Sequence, residues 1–331
     1  MTAPTHIAPS TAKAPALGGG GVSPVNRRQL GLITAGAVGI FFLLRLLPTG
    51  TNLSHMDFRV DPRAGNAIEF CDPLNPQFIP VVAARSPVTM EASTVQPAME
   101  GSDVSVRMTL KTGSGKPVTP DDLLVTHTRR LHLLIVDPTL SDYQHVHPAP
   151  TAKEGEWHFS FRPAVSGVYR IFGDFTPAAT RRGLYASVDL NVGGSGNGKA
   201  PEPARKQRTA PGDGGSVERA AVVFTLGTAA RPARAGQPID LRFAMERPDG
   251  GPVGLEPVMG AFAHLVAFDE TRSGFAHLHP AEVDLLKRPA ENNPVLNFKL
   301  TIPRAGRYVV WAQVNLAGTE TFVPFELDVQ E

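Results

Sequence analysis

Short segments of alternating apolar and polar residues run through most of this chain. The alternation is clearest at residues 104–110 (VSVRMTL) and 239–245 (IDLRFAM), and each is followed by a Gly-rich or Pro-Gly turn sequence. A period of two is typical of half-buried β-strands. The pattern predicts seven strands in each half of the chain: residues 87–92, 103–111, 131–137, 143–147, 156–162, 167–175 and 184–192, then 220–226, 238–246, 262–269, 275–279, 295–302, 307–316 and 321–329.

The two halves are copies of one unit. The segment HLLIVDPTLSDYQHVHP (residues 132–148) aligns without a gap with HLVAFDETRSGFAHLHP (residues 264–280), and a later Gly-x-Tyr also recurs in both halves. Repetition on this scale indicates two domains of about a hundred residues each. The predicted fold class is therefore all-β, with two tandem immunoglobulin-like antiparallel β-sandwich domains at residues 87–192 and 219–331.

An apolar run at residues 29–47 precedes both repeats and has the length of one membrane-spanning helix. Arg27 and Arg28 stand before it, so the positive-inside rule predicts a cytoplasmic tail at residues 1–28. This places a single-pass protein in a bacterial cell membrane, with its C-terminal domains extracytoplasmic. The alternative is a cleaved twin-arginine signal. An uncleaved anchor is favoured because no Ala-x-Ala site follows the run.

Two further segments lie outside the predicted sandwiches. Residues 48–86 form an extracytoplasmic connecting segment, and the Gly- and Pro-rich residues 193–218 form a flexible linker between repeats. Cys71 is the single cysteine, either a packed small residue or an exposed thiolate that binds metal or links chains. The composition, 42% hydrophobic with a net charge of +1, supplies two cores and excludes the basic excess typical of nucleic-acid binding.

Six of the ten histidines fall at matching positions of the two repeats. In a hairpin centred between Thr139 and Leu140, residue 132 faces 147, residue 134 faces 145 and residue 136 faces 143, so three histidines share one face of the sheet. Directly opposed Cβ atoms lie about 4.5–5.5 Å apart, close enough for the rings to converge on one ion. An all-imidazole set suits copper or zinc. The predicted ligands, for up to one ion per repeat, are His132, His145, His147, His264, His277 and His279.

The pattern indicates a membrane-anchored, extracytoplasmic module that binds or traffics a divalent transition metal. Because a flexible linker joins the repeats, two nearly independent sites are expected. The alternative is a structural or interaction module of a cell-envelope complex, with an envelope protein partner and architectural histidines. His127 and His158 occur in the first copy alone and are predicted to be surface residues, and Met259 is predicted to fill a core. Neither a cupin histidine–glutamate set nor a phosphate loop is present, so the sequence gives no positive indication of an enzyme.

The order of motifs carries a resemblance. An early Gly-x-x-Val, then His-Leu with a later His-x-His-Pro, then Gly-x-Tyr, is similar to the immunoglobulin-like sandwich domains of bacterial envelope proteins. The nearest such group is YtkA-like, and copper-resistance periplasmic proteins are more distant. The resemblance covers residues 87–192 and 220–331, and its specific part is His-x-His-Pro with the upstream histidine. It implies an extracytoplasmic, metal-associated role. The chain lacks the mature N-terminal histidine of the copper-resistance pattern, so copper and zinc both stay open.

Overall fold

A computed structural model describes residues 24–46, 53–58, 76–194, 215–229 and 232–331. The chain divides into two compact units, residues 1–50 and 51–331. The first unit contains helix α1 (Pro24–Leu46), along which apolar side chains such as Leu32 and Ile33 are exposed. It overlaps the predicted anchor at residues 29–47, yet among the described residues no helix is both long and apolar enough to cross a membrane. Cys71 and most of the predicted linker lie outside the described residues.

The first repeat is a sandwich of two four-stranded sheets, with strand orders β1-β2-β6-β5 and β4-β3-β7-β8. Two short 3₁₀ helices, His55–Phe58 and Pro120–Asp122, accompany it. Its strands are β1 (Val88–Thr94), β2 (Val104–Thr112), β3 (Leu131–Val136), β4 (Tyr143–Val146), β5 (Ala149–Pro150), β6 (Glu156–Phe161), β7 (Gly167–Phe175) and β8 (Leu184–Val192).

The second repeat is built in the same way, with one sheet in the order β16-β12-β10-β9 and the other in the order β11-β18-β17-β14-β15, to which β13 adds beside β17. All seven strands predicted for each repeat are confirmed within a few residues at either end. The strands are β9 (Ser216–Arg219), β10 (Val222–Thr228), β11 (Ala233–Arg234), β12 (Pro238–Glu246), β13 (Leu255–Glu256), β14 (His264–Asp269), β15 (Phe275–Leu278), β16 (Val295–Thr301), β17 (Gly306–Leu316) and β18 (Thr319–Gln330).

The two sandwiches pack against each other through the sheets that carry the histidines. Every residue of β3 is buried, because alternate side chains point into its own sandwich and toward the other repeat. Strand β14 is buried in the same way except at its last residue. A third hydrophobic core lies between the repeats. Its members come from both of them and from the segment before β1: Ile79, Val81, Leu134, Val136, Leu140, Tyr143, Phe172, Tyr185, Val266, Phe268, Phe275, Val309 and Trp311.

The packing is reciprocal, as expected for a pseudo-two-fold axis between the repeats. Tyr143 packs against Trp311, with ring centroids 5.8 Å apart, while Phe275 packs against Phe172 at 5.3 Å. Tyr143 corresponds to Phe275 in the repeat alignment, and Phe172 corresponds to Trp311. Each contact is therefore the counterpart of the other. The two histidine hairpins are brought together on opposite sides of this axis.

A strap of residues 76–82, just before the first repeat, pairs with strands of the second. The amide of Phe78 donates to the carbonyl of Thr301 at 2.9 Å, and that of Ile79 donates to the carbonyl of Phe275 at 2.8 Å. The Phe78 side chain joins the core of the second sandwich. Part of the predicted connecting segment, residues 48–86, is thus a structural element that ties the two repeats together.

Candidate metal centre

Two equivalent hairpins present the histidines in the predicted register. In the first, Leu134 is the Cα partner of His145 and Val136 that of Tyr143, which brings His132 opposite His147. In the second, Val266 is the partner of His277, in the same register. An aspartate fixes each turn: Asp137 accepts from the amides of residues 139, 141 and 142, and Asp269 accepts from those of residues 271, 273 and 274. The turn chemistry therefore sets the register that gathers the rings.

Within each triple, one nitrogen per ring converges on a common point, and these atoms all lie within 4.8 Å of one another. In the first triple, Nδ1 of His132 lies 3.1 Å from Nε2 of His145 and 3.2 Å from Nε2 of His147. In the second, Nδ1 of His264 lies 3.3 Å from Nε2 of His277. The six predicted ligands therefore form two sets of three, and every ligand atom is an imidazole nitrogen.

The outer nitrogens of the first triple are held by acceptors. Nε2 of His132 donates to the Thr126 carbonyl at 3.0 Å. Nδ1 of His145 lies 2.8 Å from Oε1 of Gln313, whose Nε2 in turn donates to the Glu320 carboxylate at 2.9 Å. With the Gln313 amide oriented by Glu320, His145 is the donor. When both rings are neutral, the inner nitrogens of His132 and His145 therefore direct lone pairs at each other.

The second triple repeats this arrangement. Nε2 of His264 donates to the Val258 carbonyl at 3.0 Å, and Nδ1 of His277 donates to the Asp174 carboxylate at 3.0 Å. When His264 and His277 are both neutral, their inner nitrogens again direct lone pairs at each other. Nε2 of His279 is buried and has no hydrogen-bond partner among the described residues. A buried nitrogen left unsatisfied is unfavourable unless a cation or proton meets it.

Sequence reasoning missed the outer partners Asp174 and Gln313, which come from the opposite repeat. Gln313 of the second repeat holds His145 of the first, and Asp174 of the first holds His277 of the second. The two occupy equivalent positions, seven residues after the glycine of the repeated Gly-x-Tyr. Each is also the strand partner of a ligand in its own repeat, Asp174 of His132 and Gln313 of His264. That repeated spacing is the sequence signal by which they could have been found.

The two triples form one cluster, whereas the sequence predicted two sites in domains kept apart by a flexible linker. The ring centroids of His132 and His277 are 5.8 Å apart, and those of His145 and His277 are 5.3 Å apart. His145 and His264 are separated by 6.2 Å. An ion held in one triple would therefore lie within a few ångströms of ligands of the other, and the charges of two such ions would interact.

His127 is exposed as predicted, whereas Met259 differs from its predicted surroundings. His127 belongs to a solvent-exposed loop, yet its ring stacks on His279 of the second repeat with centroids 3.7 Å apart. Met259, its counterpart in the second copy, is only partly buried and does not fill a core. Both residues have positive φ angles, 48° and 49°, so they occupy the same turn of equivalent loops. His158 is a surface residue as predicted, bonded to Ser105.

The cluster reaches solvent through a cavity of about 260 Å³. Its lining includes rings of both triples, His132, His277 and His279, together with His127 and Asp174. Residues of the strap form another side of the cavity. Three imidazoles beside an accessible space match a metal site with an open coordination position.

Burial keeps the clustered histidines neutral. Loss of hydration, reinforced by neighbouring histidines, lowers the pKa of His147 to about 3, and burial lowers the pKa of His264 to about 4. For His145 and His277 the same causes, burial first, hold the pKa well below the ordinary value. Neutral imidazole is the form that binds metal, so the cluster is held ready for a cation at neutral pH.

Acid is expected to destabilise the metal-free protein. An unfolded histidine has a pKa near 6.5, whereas His264 titrates at about 4 in the folded state. Between these values the unfolded chain binds protons that the folded cluster excludes, so the free energy of unfolding falls as pH falls from about 6.5 toward 4. Thermal denaturation at several pH values across this window measures the effect. A His277→Asn variant should show a weaker dependence and His158→Ala the same dependence, whereas a flat profile in the wild type would contradict the burial of neutral histidines.

Comparisons with known proteins support the two-domain organisation. A family profile described as "Domain of unknown function (DUF8832)" matches residues 85–192 and 218–331. Among solved structures, a DUF4785 family protein from Legionella pneumophila subsp. pneumophila strain Philadelphia 1 is 9% identical, and the match covers 71% of this chain and 55% of that one, with a TM-score of 0.22. The search of curated proteins finds no match. The repeated family match supports a two-domain organisation and does not identify the domains with the YtkA-like group.

Proposed function

This chain belongs to the DUF8832 family through both of its repeats, and we propose that it binds divalent transition-metal ions. The ions are copper(II) or zinc, and they bind at the paired histidine triples. The observation that carries the proposal is the pair of inward-facing nitrogens in each triple, His132 with His145 and His264 with His277. Their outer nitrogens are committed to acceptors, so the inner lone pairs repel each other until a cation lies between them.

The open cavity favours binding and transfer over a purely structural ion. Structural zinc sites are closed by four protein ligands, whereas each triple supplies three imidazoles and the cluster borders accessible space. Donors that are all nitrogen suit copper(II) or zinc better than copper(I), which prefers sulfur ligands. A metal carried in this way exchanges through the cavity with a small chelator or a second protein.

The full chain is expected to bind two zinc or copper(II) ions. Titration calorimetry and metal analysis of the dialysed protein measure the number. Replacing His145 and His147 together by alanine should remove one ion, because two of three ligands of the first triple are lost. His158→Ala is the matched control, since His158 is an exposed histidine outside the cluster, and it should bind two ions like the wild type.

Equal binding by the wild type and the double variant would overturn the assignment of these ligands. Binding no greater than that of an unrelated protein of similar histidine content would overturn the function itself. In that case the second candidate applies, an interaction module in which the histidines are architectural. The observation in its favour is that the triples lie between the docked sandwiches and hydrogen-bond across them.

The cellular location is part of the same proposal. In the first repeat, strand orders like A-B-E-D in one sheet and C′-C-F-G in the other support an immunoglobulin-type sandwich. Arg27 and Arg28 before the apolar residues 29–47 support an anchor that leaves the metal centre outside the cytoplasmic membrane. A reporter fused after Glu331 should therefore read as extracytoplasmic, and a cytoplasmic signal would contradict this location.

A further inference from the structure

Resting on the proposed metal function, we infer that the two triples are unequal sites of one centre, in which Asp174 causes the triple of His264, His277 and His279 to fill first. Two features that differ between otherwise equivalent repeats support this order. One is the outer hydrogen-bond partner of the middle histidine in sequence, His145 or His277. The other is a charged residue, Arg129, beside the first triple.

The triples offer a controlled comparison because most of their surroundings are the same. In both, Nδ1 of the first histidine faces Nε2 of the second, and the first histidine donates to a backbone carbonyl at 3.0 Å. The difference is at the middle histidine, where His277 donates to the carboxylate of Asp174 and His145 donates to the amide oxygen of Gln313. A hydrogen bond to a carboxylate is stronger and raises the basicity of the ligating nitrogen, so the second triple binds a cation more tightly.

Glu320 reduces this difference without removing it. Its carboxylate accepts from Nε2 of Gln313 at 2.9 Å and polarises the amide. The negative charge nevertheless stands one side chain further from the metal-binding ring than the charge of Asp174 does. The first triple is therefore supported by an amide oxygen and the second by a carboxylate.

A cation beside the first triple acts in the same direction. Arg129 pairs through its backbone with Thr126, whose carbonyl accepts the hydrogen bond from His132. The position equivalent to Arg129 in the second repeat is Ala261. Repulsion from Arg129 disfavours a divalent ion in the first triple, and the second triple has no counterpart at that position.

Asp174 also lies near the first triple, as the strand partner of His132. Its charge therefore favours an ion at either site, but its hydrogen bond is made to His277 alone of the six ligands. Removal of this carboxylate should weaken both sites and should weaken the second more. Asp174 is thus a positioning residue that sets the difference between the sites.

The order of filling can be measured in the unmodified protein. Nuclear magnetic resonance of the histidine rings in the full chain, with Zn²⁺ added to one equivalent, should shift the signals of His264, His277 and His279 first. The signals of His132, His145 and His147 should shift mainly with the second equivalent. Simultaneous shifts of all six, or the reverse order, would overturn the inference.

Asp174→Asn tests the cause. This variant keeps the size of the side chain but loses the charge, and it should lower the zinc affinity of the second triple by at least about tenfold and make the two steps merge. Asp240→Asn is the control. It removes an exposed carboxylate that pairs with Lys299 in the sheet of the second repeat that carries none of the proposed ligands, and it should keep the two binding steps. An Asp174→Asn variant with unchanged steps would overturn the role of the carboxylate.

A reciprocal variant guards against a simple loss of folding. Gln313→Glu combined with Glu320→Gln moves the carboxylate next to His145 and keeps the charge count, so it should raise the affinity of the first triple toward that of the second. Failure to do so would contradict the outer-partner argument. Two equal sites in the wild type would refute the inference and leave the proposed function standing, whereas absence of zinc binding would refute the proposed function itself.

Discussion

Phe172→Asp is expected to separate the two sandwiches and to weaken both metal sites together. Phe172 is fully buried in the core between the repeats, where its ring lies 6.0 Å from that of Phe268 and 5.3 Å from that of Phe275. Loss of such a ring costs about 3–5 kcal/mol, and a buried, unpaired carboxylate adds to this cost. Undocking withdraws Gln313 from His145 and Asp174 from His277, so each zinc affinity should fall by about tenfold or more.

Small-angle scattering measures the separation and zinc calorimetry measures the affinities. Each sandwich should keep its strands, as read by circular dichroism, because Phe172 belongs to the shared core and the sandwiches have cores of their own. Val95→Asp is the matched control, since Val95 is 73% exposed, and it should change neither measurement. Tight zinc binding in an undocked Phe172→Asp protein would contradict the dependence of the sites on the opposite repeat.

Gly274→Ala should destabilise the fold by displacing the strap. A Cβ at Gly274 would overlap the carbonyl oxygen of Ile79. The strap would have to shift, which weakens its pairing with Phe275. Overpacking of this kind lowers the free energy of unfolding by about 1–3 kcal/mol, measurable by urea denaturation. The equivalent position of the first repeat is Asp142, whose side chain bonds to Tyr169 instead.

Gly227→Ala is the control for that substitution. Gly227 lies in β10, and a Cβ there meets no heavy atom within 4 Å. Alanine in a strand interior is expected to be neutral or to stabilise by up to about 1 kcal/mol, because glycine loses more conformational entropy on folding. Equal stability of the two variants would contradict the close approach of the strap.

The strands and the histidine register were predictable because both depend on local patterns. Alternation of side chains fixed the strand positions, and the turn around Asp137 fixed which residues of β3 and β4 face each other. Given that turn, alternation along the strands places the three histidines on the same face. Residues close in sequence determine all of this, so no knowledge of the other repeat was required.

Docking of the repeats was harder to predict because it depends on contacts between residues far apart in sequence. One local signal was present: β3 reads Leu-His-Leu-Leu-Ile-Val, with little alternation, and a continuous apolar strand is typical of burial on both faces. That signal indicates that the outer face of β3 is buried, but it does not identify the residues that pack against it. The hydrogen bonds of Asp174 and Gln313 to the proposed ligands follow from docking alone, since each is made to a histidine of the opposite repeat.

The exchange of outer partners across the pseudo-two-fold axis makes this chain comparable to a homodimer whose subunits have been joined end to end. In a true homodimer, symmetry forces both halves of the centre to carry the same residue at positions 174 and 313. Joining the halves in one polypeptide lifts that constraint, so one half carries an aspartate and the other a glutamine. The covalent connection therefore allows a symmetric architecture to hold two chemically different ends, a difference that identical subunits could not encode.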